Sequence, residues 1–298
     1  MTASLSKYIK NPIFLSKTAL ADFTRCPRAY YLKNIYRTID DMRIQIASPP
    51  LTLGSTVHDT IFWYLQQREK PSKEETFKKY RELWRKFRLN RGGFSSVEEE
   101  AQFGKRGLKM LENFLEHSDC LEPSAPFLKF PKLNLIENII LNGNFDFVGV
   151  CEDGTLHIVD FKTGIHDEED TIQLYIYAIL AESNFNKRVS RVSFWYIDRD
   201  DKPKDIVLDK LEPKIEWLKQ KGLEMKKAIE EKNWVCVKEK DGILCRDCYD
   251  YQQILDGKAQ YLYDDGNFNK KIYFLNRAAI VTFGQDVLTE SVTEDKPS

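Results

Sequence analysis

Apolar residues never run far in this sequence. No stretch approaches the ~18 consecutive apolar residues that span a bilayer, and the first residues lack the apolar core of a secretory signal. Contact with a membrane is set aside on that ground, and a soluble cytoplasmic protein is expected. An excess of either charge is missing too: 45 Lys and Arg stand against 46 Asp and Glu, for a net charge of −1. No overall field draws such a chain to nucleic acid, so any basic surface must be local. No Gly-x-x-x-x-Gly-Lys-Ser/Thr occurs, which excludes a P-loop motor. No internal repeat is visible either.

What is present is a chain of 298 residues, 42% apolar and 31% charged, enough for one large domain with a sizeable core. The most informative stretch runs from Leu141 to Tyr177. Two apolar, β-branched runs, Leu141–Val150 and Thr155–Phe161, flank Glu152-Asp153-Gly154, a hairpin signal in which the glycine supplies a positive φ. Side chains alternate along a strand, so Asp160 and Lys162 share one face and Phe161 takes the other. Asp146, on the partner strand, brings a second carboxylate to the same place. Two carboxylates and a lysine suit a divalent metal with a water or phosphate beside it. On its own Asp-x-Lys is also what a solvated strand face looks like. His157-Ile158-Val159 makes the run around Asp160 look buried, and a buried carboxylate needs a partner.

Helices are expected over a segment opened by Ser16 or Thr18 as N-cap, over Leu51–Gln67, Lys73–Asn90, Glu98–His117, Thr171–Ser183 and Leu211–Lys232. Residues 38–50 read as a loop, Pro123, Pro126 and Pro131 mark another, and Glu137 is placed on a strand before the hairpin. Further strands are expected at Arg191–Ile197 and, more weakly, Asp205–Leu208. Gly54 and His58 share a helix face at i and i+4, as do Gln173 and Tyr177. Either pair serves a site or simple packing. On Lys73–Asn90, Phe77, Tyr80, Trp84 and Phe87 form an apolar stripe, while Lys78, Arg81, Arg85 and Arg88 form a basic one. That basic stripe is either a solvated face or a row of phosphate contacts to DNA.

Taken in order, Gly54-x-x-x-His58, Gly143-x-x-Asp146, Asp160-Phe161-Lys162-Thr163-Gly164 and Gln173-x-x-x-Tyr177 resemble the successive motifs of the RecB-like branch of the PD-(D/E)XK nucleases. The resemblance implies a restriction-endonuclease-like α/β fold, a mixed central sheet flanked by helices. It also implies a helical region over 18–120, a catalytic core over 133–210 and a cysteine-bearing C-terminal segment over 211–285, with residues 286–298 a disordered tail. The implied activity is a Mg²⁺- or Mn²⁺-dependent deoxyribonuclease, an exonuclease on single-stranded DNA or DNA ends in recombination, repair or CRISPR adaptation. His58, Asp146, Asp160 and the carbonyl of Phe161 would hold the metal. Lys162 would orient or deprotonate the attacking water and offset charge on the phosphorane, and Gln173 and Tyr177 would position the strand. A helicase or a CRISPR integrase is the implied partner, since the chain has no motor of its own. The rival classes are a non-catalytic DNA-binding or assembly subunit of the same fold and a zinc-stapled adaptor.

Six cysteines in an intracellular chain point to metal ligands or free thiols before disulfides. Cys245-x-x-Cys248 is a spacing that aims two thiolates at one metal. Relatives with an iron–sulfur cluster, such as AddB-type nuclease domains, add an early Cys-Pro, here Cys26-Pro27, and a last cysteine six positions after the pair. Here that position is Ile254. Cys236, across a loop containing Gly242, is the candidate fourth ligand. The resemblance implies a 4Fe-4S cluster on Cys26, Cys236, Cys245 and Cys248, with a zinc ion or no metal as the alternatives. Cys120 and Cys151 read as ordinary residues.

Overall fold

The computed structural model describes residues 12–168, 170–239 and 243–276. The tail expected to be disordered and Gly242 lie outside these residues. In chain order the first elements are β1 (Ile13–Leu15), α1 (Lys17–Arg25), α2 (Pro27–Tyr30) running into a π-helical turn at Tyr31–Ile35, β2 (Arg43–Ile46), α3 (Pro49–Gln66), α4 (Lys73–Trp84) and α5 (Val97–His117). The central part holds β3 (Lys132–Ile136), β4 (Ile139–Asn142), β5 (Phe147–Val150), β6 (Leu156–Lys162), α6 (Ile172–Phe185), β7 (Val189–Tyr196) and β8 (Lys204–Asp205). Last come α7 (Leu211–Glu231), α8 (Arg246–Leu255), β9 (Gln260–Asp265) and β10 (Lys270–Phe274).

The central sheet has the order β5-β6-β7-β8, mixed because β6 and β7 are parallel and the outer pairs antiparallel. β6 is buried from Leu156 to Phe161 because helices cover both of its faces. Val159 and Phe161 pack with Val57 and Ile61 of α3 and with Met110, Leu111 and Phe114 of α5. Ile158 packs with Val192, Phe194 and the α6 residues Leu174 and Ile176. A second sheet, β1-β4-β3, contributes Leu15, Ile139 and Leu141 to that same core. Helix α6 is therefore apolar nearly all round, as a helix enclosed on several sides must be. Helix α7 closes the core so tightly at Gly222 that a Cβ there would lie 2.6 Å from Ile139.

Several expectations need correcting. The strand read over Leu141–Val150 is two strands: β4 ends at Asn142 in the second sheet, and β5 starts at Phe147 in the central one. The break falls at Gly143, where an added Cβ would be 3.2 Å from both Tyr177 and Leu180, so α6 comes too close for a continued ladder. Asp146 thus stands just before its strand, not on it. Glu137 sits in the exposed turn between β3 and β4, away from the site. The loop expected over 38–50 contains β2, which pairs in parallel with β10 in a third sheet, β2-β10-β9.

Helix α4 stops at Trp84 and does not reach Asn90; 3₁₀ turns follow at Arg85–Phe87 and Leu89–Gly92. The buried carboxylate of Glu100 on α5 accounts for the turn. It accepts the Leu89 N–H at 2.9 Å and pairs with Arg88 Nε at 3.0 Å. By contrast Ser16 caps α1 as read, accepting the Ala19 N–H at 3.2 Å. Gly154 likewise takes its positive φ of 80° in the β5–β6 turn.

Candidate active site

β6 delivers Asp160 and Lys162 to one face and Phe161 to the other, where its ring packs on Phe114 and Trp195. Asp146 binds across the end of this strand: its Oδ2 accepts the Phe161 N–H at 2.9 Å, and its Oδ1 lies 3.0 Å from His58 Nδ1. Helix α3 can bring His58 so near because residue 54 is glycine; a Cβ there would meet Thr163 Oγ1 at 3.3 Å. The result is a cleft of about 470 Å³ whose walls include His58, Asp146, Asp160, Phe161, Lys162 and Gln173.

Gln173 knits the other side. Its Nε2 donates to Asp160 Oδ1 at 2.7 Å and to Tyr177 Oη at 3.0 Å, and its Oε1 accepts from Lys162 Nζ at 2.9 Å. Its amide is thus committed within the site. Lys162 Nζ also lies 2.8 Å from Asp160 Oδ2 and 4.7 Å above the Phe194 ring. The Lys162 ammonium is therefore the charged partner of the buried Asp160 Oδ2. Two residues that sequence reasoning missed, Glu168 and Lys17, extend this side. Glu168 lies 3.6 Å from Lys162 and 3.3 Å from Lys17, inside an acidic loop that carried no other signal.

Charge and burial set the protonation states. Burial, reinforced by the Asp146 charge, pushes the Asp160 carboxyl up to about 7 against the pull of Lys162. For His58 burial acts downward, but the Asp146 carboxylate outweighs it and lifts the imidazole to about 9. Burial also acts downward on Lys162; Asp160, Glu168 and Asp146 together outweigh it and keep the ammonium charged. The Tyr177 phenol is raised well above its ordinary value by burial and the two nearby aspartates, and stays neutral.

The chemistry of these donors fits a hard divalent cation. Asp160 and Asp146 supply carboxylate oxygens to one cleft, and the His58 imidazole lines it beside Asp146. Protein cations alone offset the two carboxylates, at a cost in proton affinity that a metal would remove.

The four cysteines named as candidate ligands also converge. The Sγ atoms of Cys26, Cys236, Cys245 and Cys248 all lie within 4.8 Å of one another and are buried. Cys26 and Cys248 are 3.5 Å apart, and the Cys245 N–H donates to Cys236 Sγ at 3.2 Å. Burial raises the Cys236 thiol, but the N–H donors of Cys245 and Lys238 outweigh it and bring it to about 7, ready to ionise. Cys120 is exposed and Cys151 half-buried, outside this group.

The basic stripe does not survive as one row. Lys78 and Arg81 are exposed on α4, Arg85 is exposed on the following 3₁₀ turn, and Arg88, also exposed, lies with its Nε 3.0 Å from Glu100.

No curated protein matches the chain. The family model described as the PD-(D/E)XK nuclease superfamily matches residues 15–254, which takes in both the cleft and the four-cysteine group. That superfamily uses divalent metals for nuclease chemistry, and the helix-flanked mixed sheet is its restriction-endonuclease-like fold. The chain belongs to the PD-(D/E)XK nuclease superfamily.

Proposed function

We propose that the protein is a RecB-like deoxyribonuclease, Mg²⁺- or Mn²⁺-dependent, that digests single-stranded DNA or DNA ends as an exonuclease. The observation that carries this reading is the convergence of the buried Asp160 with Asp146, His58 and the Lys162 ammonium on one cleft. Asp146, Asp160, His58 and the Phe161 carbonyl would hold the ion. Bound there, it would polarise the scissile phosphate and lower the pKa of an attacking water.

The chain's own residues do the rest. Lys162, 2.8 Å from Asp160 Oδ2, neutralises negative charge that builds on the phosphate. Gln173 fixes the Lys162 ammonium and the Asp160 carboxylate relative to each other. Tyr177 accepts from Gln173 and keeps its own hydroxyl proton to donate to a strand. His58 must lose its proton to serve as a ligand, which ties metal affinity to pH. Lys78, Arg81 and Arg85 are the exposed cations offered to the DNA backbone, with Arg88 already engaged by Glu100. A helicase or a CRISPR integrase would supply opened ends.

The four thiols are proposed to hold a metal centre that staples the two ends of the chain. The resemblance implies a 4Fe-4S cluster. The compactness of the group favours a single Zn²⁺, because four sulfurs bonded at ~2.3 Å around one ion lie about 3.8 Å apart. A cubane interposes irons and sulfides and would need the four side chains to spread.

The function is tested by incubating end-labelled single-stranded, duplex and circular DNA with the protein and Mg²⁺ or Mn²⁺. Loss of label from linear single strands, with circles spared, is expected. Cleavage of circles would remove the exonuclease reading, and no cleavage of any substrate would remove the nuclease reading.

A further inference from the structure

Asp146 also lines a second, small cleft of about 50 Å³. Its walls include Phe62 and Leu65 of α3, Ala125 and Phe127 of the proline-marked loop, Phe145 and Phe185. Phe62 and Phe127 meet edge to face with centroids 5.1 Å apart, yet they are 40% and 55% exposed. Half-exposed rings that border the catalytic cleft offer an apolar surface to a ligand. The rings are continuous with the site. Tyr177, bonded to Gln173, packs edge to face on Phe145 at 5.5 Å, and Phe145 lies 6.3 Å from Phe185.

The loop adds charge of one sign. Phe127, Lys129, Phe130 and Lys132 follow one another with exposed rings and cations in alternation. Lys129 lies over the Phe130 ring at 5.8 Å, and Lys132 over the exposed Phe14 at 5.2 Å. Interleaved rings and cations are how proteins hold unpaired strands: rings take base faces and cations take phosphates. At about 50 Å³ the cleft is too small to enclose a base, so it offers the exposed ring faces at its mouth. A duplex keeps its base faces stacked and would have to be unstacked to use them.

We propose that the Phe62–Phe127 cleft is a nucleobase platform, on which an unpaired base next to the scissile phosphate stacks, making single-stranded DNA the substrate. This rests on the reading of the Asp146–Asp160 cleft as the nuclease centre.

The test is equilibrium binding by fluorescence anisotropy, in an Asp160→Ala background that prevents digestion. Two dye-labelled single strands of equal length are compared, one with normal bases and one built wholly of abasic tetrahydrofuran units. Phe62→Ala with Phe127→Ala should weaken binding of the normal strand about tenfold or more and leave the abasic strand unchanged. Phe127→Tyr should restore binding. If the double variant fails to fold, Phe127→Ala alone, at a residue more than half exposed, carries the same comparison. Equal losses for both strands, or no loss for either, would overturn the platform, the latter leaving the cleft to another kind of partner. The protein with Asp160 intact is assayed for cleavage in parallel. Cleavage without base-dependent coupling to the rings refutes the platform only, whereas absence of cleavage refutes the nuclease reading beneath it.

Discussion

Asp160 holds its carboxylate where burial and a second aspartate both oppose the charge, and His58 holds a proton because that same second aspartate attracts it. In chelator, both groups bind their protons more tightly in the folded protein than in the unfolded chain. Their contribution to stability is therefore complete below the unfolded values of 3.8 and 6.5. It is lost as pH rises through about 7 for Asp160 and about 9 for His58. A chelated sample should accordingly melt at a lower temperature at about pH 9 than at about pH 6.5. Asp146→Asn removes the charge that raises both values and should flatten that slope in a fluorescence melt. A wild-type slope in the variant would detach Asp146 from the pair. At the same scale, Lys162→Ala should lower cleavage by roughly 10²-fold or more, since a preorganised charge aimed at the phosphate is removed. Cleavage at the wild-type rate would exclude Lys162 from the site.

Elements were legible where their signal is local. The β5–β6 turn announces itself through Gly154, and α3, α5, α6 and α7 are long enough to be read within a few residues of their ends. What failed was set by residues distant in sequence. Whether the chain continues as a strand past Asn142 depends on α6 pressing on Gly143, and whether α4 continues past Trp84 depends on Glu100. β2 finds its partner β10 more than 200 residues later, so its four residues carry no pattern of their own. The site was more legible than the fold, because Asp146, Asp160, Lys162, Gln173, Tyr177 and His58 come from short motifs that do converge. Glu168 and Lys17 were missed because only the fold brings them together beside Lys162. The broken stripe changes one expectation. Replacing Lys78, Arg81 and Arg85 with Ala should reduce the log–log salt slope of single-strand binding by ~0.7 for each phosphate no longer neutralised. Arg88→Ala should leave the slope unchanged and lower the melting temperature instead, because Glu100 is deprived of its counter-ion. A slope unchanged by the triple variant would return all three cations to ordinary solvated surface.

Across the whole molecule, the two ends of the chain are joined at the four cysteines and, beside them, by Lys33, which is 3.0 Å from both Asp22 and Asp247. A metal there closes a loop of about 210 residues between Cys26 and Cys236, and long closures constrain the unfolded chain most. Cys26→Ser and Cys236→Ser should each lower metal content and the melting temperature by several degrees or more, given that ~1 kcal/mol moves a chain of this size by ~2 °C or more. Cys120→Ser and Cys151→Ser should do little. Elemental analysis of anaerobically purified protein separates iron with acid-labile sulfide from zinc, and full metal retention in Cys236→Ser would break the ligand set. The central claim remains that the β6 cleft cuts DNA. Its most direct test is a time course on 5′-labelled single-stranded DNA with Mg²⁺ or Mn²⁺, run for the wild type and Asp160→Ala at matched purity and matched DNA binding. The wild type should release label, with chelator stopping it, while Asp160→Ala binds the strand and leaves it whole. Equal digestion by both proteins would place the cutting elsewhere and contradict the account.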